Sequence, residues 1–208
     1  MRTASVESRW WIAAAACFLI FAILGSYVSS RTPTRIDVEA TALRGEATSL
    51  ALFFTSLGRW YVLLPLSLLA LVSALAARTN VLPVATIVVV QNATQGIVAI
   101  LKPIFHRTRP DAWLRIHEVD LSYPSGHAVT TMVFYGSLLL LLALRTPALP
   151  RPLALTLAAA CAVCIVGIPW SRLALGAHYA TDVLGGLLFG AGSLCVLAAL
   201  YVRFGVLR

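Results

Sequence analysis

Charged side chains are scarce in this chain: Asp, Glu, Lys and Arg make up 12% of its 208 residues, against 60% apolar residues. So few charges cannot cover so much apolar surface at this length, which excludes a soluble globular domain and implies a membrane protein. The formal net charge of +8 would suggest a nucleic-acid partner in a soluble protein. Here the Arg residues cluster at the ends of apolar runs, where anionic headgroups and the rules of membrane orientation account for them, so no nucleic-acid partner is expected.

Cysteine is also sparse, and Cys17, Cys161, Cys164 and Cys195 all fall inside apolar stretches. The spacing of Cys161 and Cys164 resembles half of a redox or zinc site, but no second Cys or His pair is placed to complete it in hydrocarbon. They read as small core residues. Internal repeats, low-complexity tracts and a soluble appendage are likewise missing, so residues 1–208 read as one membrane-embedded domain. Arg2 and Arg9 precede an apolar run as in a secretory signal, yet the run from Trp10 to Val28 is long enough to span and no clean small-x-small cleavage pattern follows. A retained first helix is expected.

What the chain does contain is long apolar segments. Six approach the length needed to cross a slab about 30 Å thick: Trp10 to Ser29, Trp60 to Ala77, Val81 to Leu101, Ala128 to Leu144, Leu153 to Trp170 and Val183 to Val202. Between the first two, residues 31–59 mix Arg35, Asp37, Glu39, Arg44 and Glu46 with the apolar patch Leu50 to Phe54, too charged and too short to span. The expected fold class is therefore all-α integral membrane, a six-transmembrane-helix bundle with an interfacial amphipathic helix between helices one and two. Polar residues inside the third span, Gln91, Asn92, Thr94 and Gln95, should face the bundle interior and join helices.

With six crossings, the loops after spans three and five open on the same side. They carry the polar islands Lys102 to Pro110, Pro124 to His127 and Ser171 to Asp182. Once the cations of these islands are set aside, the remaining positive charge favours termini inside and islands outside.

In the first island, Lys102 is followed within a short stretch by His106, Arg107 and Arg109. Lone cations at a helix end are ordinary headgroup anchors, but this density suits an oxyanion clamp. In the second, Ser125 suits a helix N-cap, Gly126 allows close approach of the backbone to a ligand, and the helix start favours an anion, while His127 adds a proton donor and acceptor. In the third, His178 and Asp182 are four residues apart, one face of a helix beginning near Ala177, so the carboxylate could orient the imidazole as a metal ligand or as a nucleophile. Lys102, Arg109 and Arg172 would repel a cation and welcome an anion. A metal-free and cofactor-free anion site is thus expected, with His178 attacking phosphorus, Asp182 orienting it and His127 protonating the leaving oxygen.

Lys102-x6-Arg109-Pro110, Pro124-Ser125-Gly126-His127 and Ser171-Arg172-x5-His178-x3-Asp182 together resemble the three signature motifs of the type 2 phosphatidic acid phosphatase family, in order and with each spacing intact. The resemblance implies an integral-membrane, metal-independent phosphatase working through a phosphohistidine on His178. By motif position, Lys102, Arg109, Ser125, Gly126 and Arg172 would hold the phosphate, His127 would act as acid and then base, and Asp182 would orient His178. It also implies a site facing the periplasmic or extracellular side of the bacterial inner (plasma) membrane. Implied partners are membrane lipids and a lipid phosphate substrate: phosphatidic acid, phosphatidylglycerophosphate or a polyprenyl diphosphate. The residues neither rank these lipids nor specify an oligomeric state. Two other classes share such a pocket, a vanadate-dependent haloperoxidase and a non-enzymatic lipid-phosphate binder or transporter. The six apolar spans speak against the first, and the complete His178, His127 and Asp182 set against the second.

Overall fold

The computed structural model describes residues 2–29, 33–111, 118–143 and 149–206, with side chains from residue 5. Its helices, in chain order, are α1 (Arg2–Ser29), α2 (Arg35–Glu39), α3 (Thr48–Leu57), α4 (Trp60–Ala76), α5 (Leu82–Phe105), α6 (Gly126–Ala143), α7 (Arg151–Ala174) and α8 (Ala180–Arg203), with a 3-10 turn over Ala40–Leu43. Five of them are long and apolar enough to span. A sixth span forms if α3 and α4, bent by 48° at Leu57 to Trp60, count as one. The fold is thus the expected all-helical membrane bundle. The second span differs in form, because the apolar patch near Leu50 continues into it through a bend instead of lying apart.

Large apolar residues such as Ile12, Leu19, Leu69, Val89, Ile104 and Val166 point outward, as a lipid-facing surface requires. Inside, α6 is the central helix, packed against α5, α7 and α8, while α1 lies along α8. Two glycines set the approach of α6 and α8. A Cβ on Gly186 would stand 2.5 Å from the Ser125 carbonyl oxygen, and one on Gly190 would stand 2.7 Å from Met132 Cβ. This small-xxx-small pair brings the backbones together in the absence of a hydrophobic drive between helices in lipid. Its consequence is local to the polar islands: Ser125 N–H donates to the Asp182 carbonyl at 3.1 Å. On the other side of α8, Phe21 of α1 stacks on Tyr123 with ring centroids 5.4 Å apart, and the Tyr123 hydroxyl donates to the Phe21 carbonyl at 2.7 Å. The loop entering α6 is thereby held against α1 and α8.

Two of the four polar residues of α5 join helices, while Thr94, like Asn92, donates within its own helix, to the Gln91 carbonyl at 2.9 Å. Gln91 and Gln95 donate to Thr130 Oγ1 of α6 at 3.0 and 2.8 Å. Asn92 is exposed and donates to its own helix at the Val88 carbonyl, 2.8 Å away. Several helix ends also differ from the expected ones. α7 runs four residues past Trp170, to Ala174, so Ser171 and Arg172 lie in its last turn and not in a loop. α6 begins at Gly126, and the expected end of that span at Leu144 falls outside the described residues.

Candidate active site

A cavity of about 800 Å³ opens between α4, α5 and α6. Its polar end is lined by Lys102, Arg109, Gly126, His127 and His178. Arg172 is fully buried beside it and reaches the same carboxylate as Arg109. Five of the eight expected site residues therefore line one cavity, and Arg172 adjoins it.

Each is carried there by its element. Lys102 projects from the last turn of α5, which His106 ends in a left-handed conformation (φ 49°). Beyond it, Arg109 Nη1 donates to the Ala177 carbonyl at 2.8 Å and stands 3.0 Å from His178 Nε2. A guanidinium has only donors, so His178 Nε2 accepts and the ring proton resides on Nδ1. Nδ1 lies 3.5 Å from Asp182 Oδ2 and 3.4 Å from Ser122 Oγ, while Ser122 Oγ donates to Asp182 Oδ2. Ser122 thus bridges the imidazole and the carboxylate.

The reason for the His178 and Asp182 proximity differs from the expected one. α8 begins at Ala180, so His178 precedes the helix and the two do not share a helical face. Asp182 is instead the third residue of α8 and takes the Tyr179 backbone N–H at 2.8 Å, a cap that turns its carboxylate back toward the loop. Ser125 also departs from expectation: it precedes α6, but its buried Oγ makes no hydrogen bond among the described residues, so it does not cap the helix. His127 Nε2 is buried and unpartnered in the same sense. Two polar atoms of the second island are therefore left for a ligand.

Sequence reasoning gave no role to Ser122, and to four further contributors it gave none or only a share in a cluster of cations. Glu118 bridges two of the cations, with Oε2 at 2.8 Å from Arg109 Nη2 and Oε1 at 2.8 Å from Arg172 Nη2. Asp120 pairs with Lys102 and Arg109. Arg107, almost fully buried, donates to Asp182 Oδ1 at 2.6 Å and to Asp37 Oδ2 at 2.8 Å, and lies over the Tyr179 ring. Asp37 in turn accepts from Thr181 N–H at 2.9 Å, tying α2 to the start of α8. Proximity to the motifs was the one signal available for Glu118, Asp120 and Arg107, and Asp37 had none, since pairing across the loops cannot be read from spacing. His117 lies outside the described residues.

Charge on the site follows from these contacts. Burial, then the charges of Arg109, Arg172 and Lys102, hold the His178 imidazole well below its ordinary pKa, so it is neutral near pH 7. Burial acts to raise the Glu118 carboxyl, but Arg172 and Arg109 outweigh it and keep Glu118 below its ordinary value. Among the described residues no group of three His, Cys, Asp or Glu side chains stands where it could hold a metal.

The site can be compared with known proteins. Phosphatidylglycerophosphatase B of Bacillus subtilis (strain 168) is 38% identical over 93 residues, covering 44% of this chain and 44% of that protein. Lipid A 1-phosphatase of Rhizobium johnstonii is 32% identical over 54% of this chain and 46% of its own length. Undecaprenyl-diphosphatase of Sulfolobus acidocaldarius is 30% identical over 68% of this chain and 65% of its own length. The chain thus spans about half the length of the first curated relatives it matches. A solved structure, a transmembrane PAP2 type phosphatidylglycerolphosphate phosphatase from Bacillus subtilis, superposes with a TM-score of 0.74 at 25% identity, over 94% of this chain and 98% of that one. Residues 80–205, which hold all three polar islands and the four helices that carry them, match the PAP2 superfamily, and the chain belongs to that family.

Proposed function

We propose that this protein removes a terminal phosphate from a membrane lipid phosphate or diphosphate, through a phosphohistidine on His178 and without a metal. The observation that carries this reading is the His178 Nε2 lone pair, aimed at Arg109 in a cavity also lined by Lys102 and His127. A neutral imidazole with its proton on Nδ1 is a competent nucleophile, and the surrounding cations suit the charge of a transferring phosphoryl group.

The phosphate takes Lys102, Arg109 and Arg172, together with the Ser125 hydroxyl and the amides at Gly126, and Arg109 then releases Nε2. Nε2 attacks phosphorus as the bond to the leaving oxygen breaks, and His127 gives that oxygen a proton. The imidazolium Nδ1–H is held by Ser122 and Asp182, which offset its new charge. In the second half His127 takes a proton from water, the water oxygen bonds to phosphorus, and the bond to His178 breaks. The alcohol or phosphate-bearing lipid leaves first, inorganic phosphate last.

The lipid enters from the side. The cavity follows α5 from Lys102 to Val88, roughly 21 Å at the helical rise per residue. Its lower walls combine Leu63, Leu64, Val88 and Val98 with the polar Ser67, Gln91, Asn92 and Gln95, so a tail can lie along the apolar members while the headgroup reaches His178. The charge argument from the sequence puts the site outside, and the family resemblance names that side as periplasmic or extracellular, at the inner membrane.

Phosphate release from phosphatidic acid, phosphatidylglycerophosphate and a polyprenyl diphosphate, measured in detergent with chelator present, tests this. Wild type should turn over at least one of them regardless of chelator, and His178→Ala none. Turnover in the mutant, or dependence on a divalent ion, would contradict the mechanism.

A further inference from the structure

Arg59 belongs to none of the motifs, yet it lines the cavity alongside His127, His178, Lys102 and Arg109. It is the residue that precedes α4, at the bend between α3 and α4. Each of the three motif cations faces a carboxylate: Lys102 meets Asp120, Arg109 meets Glu118 and Asp120, and Arg172 meets Glu118. Arg59 makes no ion pair among the described residues, although its charge reaches both His127 and Arg172. Among the described residues it is a cation of the cavity without a carboxylate partner.

Its neighbour shows on which side of the reaction it stands. A Cβ on Gly58 would lie 2.9 Å from His127 Cδ2. That carbon is bonded to Nε2, the ring atom left unpartnered. Arg59 therefore follows the residue packed on the His127 edge from which the proton leaves; its charge, like that of Arg172, acts on His127, whereas that of Lys102 acts on His178. The first turn of α4, which no side chain caps, adds backbone donors at the same place.

We propose that Arg59 binds a second phosphate on the leaving-group side of the scissile bond, so that the preferred substrates are lipids with two phosphorus groups. This rests on the phosphatase reading above. In a diphosphate, the bond between the terminal phosphorus and the bridging oxygen breaks, the terminal phosphoryl passes to His178 Nε2, and the electron pair stays on the bridging oxygen. Until His127 delivers its proton there, charge builds on that oxygen, and a guanidinium beside it is worth most then. In a lipid whose terminal phosphate is spaced by glycerol from a phosphodiester, Arg59 meets a charge that does not change and contributes only to binding. A lipid with a single phosphate offers it nothing.

The test separates binding from turnover. Two inert lipid analogues of equal chain length, a phosphonate and a methylene-bridged diphosphonate, are titrated in detergent against wild type, Arg59→Gln and Arg59→Lys. Wild type should bind the diphosphonate about tenfold more tightly than the phosphonate. Arg59→Gln should bring that ratio near one, and Arg59→Lys should keep part of it. A wild-type ratio near one, a preference that survives in Arg59→Gln, or no binding of either analogue overturns the subsite. Turnover then distinguishes the two sources of the second phosphate. A fall in kcat on a polyprenyl diphosphate in Arg59→Gln places it at the bridging oxygen, whereas a rise in KM alone on phosphatidylglycerophosphate places it beyond the glycerol. Wild type that binds the diphosphonate selectively but releases no phosphate from any lipid would overturn the proposed reaction and leave the subsite standing.

Discussion

Glu118 Oε1 lies 2.8 Å from Arg172 Nη2, so a carboxylate of the chain itself occupies a cation that the proposed reaction assigns to phosphate. Its other oxygen holds Arg109. An incoming phosphate must displace it, which makes Glu118 an internal competitor. Glu118→Gln should let inorganic phosphate inhibit on the order of tenfold more strongly, equivalent to ~1.4 kcal/mol. Product-inhibition constants for wild type and mutant decide this, and weaker inhibition in the mutant would mean that Glu118 instead holds the cations in place.

Arg107 is the bridge between two buried carboxylates, Asp182 and Asp37. Removing its charge would leave both without their counter-ion in a site closed to water. Arg107→Gln should lower stability by about 3–5 kcal/mol and lower kcat as Asp182 and Ser122 lose their position. Asp37→Asn should have a smaller effect in the same direction, because Thr181 still has a partner in the amide. Denaturation midpoints in detergent, with kcat on the same preparations, measure both; an unchanged midpoint in Arg107→Gln would contradict the bridge.

His178 must be neutral to attack, and its pKa is held below the ordinary value near 6.5 by burial and by Arg109, Arg172 and Lys102. As pH falls, a lowered pKa keeps the nucleophile neutral for longer, so the acid limb of kcat/KM should lie below the usual histidine range. Arg109→Gln removes one of these charges and should move the limb to higher pH. Comparing the two proteins on one substrate cancels the ionisation of the substrate itself. A limb that stays put, or moves lower in the mutant, would contradict the assignment.

Gly58 has no room for a side chain. A Cβ there would stand 2.9 Å from His127 Cδ2 and 3.1 Å from Ile168 Cγ2. Gly58→Ala should push the His127 ring by a few tenths of an ångström and misalign its proton transfer, costing on the order of tenfold in kcat with an alkyl phosphate. An aryl phosphate, whose leaving oxygen needs little protonation, should be affected less. Equal losses on both substrates would argue against His127 as the acid.

The helical bundle and the shared cavity were legible because both depend on local signals. Apolar run length sets the spans, and parity places Lys102, Arg109 and His178 on one side without any knowledge of packing. What spacing could not reveal is pairing between distant segments. Asp37 reads as one more charge in an amphipathic stretch until the fold brings it to Arg107, 70 residues away. Gly186 and Gly190 read as ordinary membrane-helix glycines until α6 is seen to lie against them. The i to i+4 reading of His178 and Asp182 reached the right pair through the wrong geometry, because the helix starts after His178 and a cap turns Asp182 toward it. The start of the second span at Trp60 was legible, but not that the Leu50 patch continues into it through the bend at Gly58 and Arg59, because the charges before Leu50 marked that patch as interfacial.

The covalent step on His178 is the centre of the account. Rapid quenching of wild type with a substrate labelled in its terminal phosphate should trap label on the protein as a phosphoramidate, stable in base and lost in mild acid, and His178→Ala should trap none. Label trapped on the mutant, or steady turnover by wild type with no labelled protein at any time point, would contradict it.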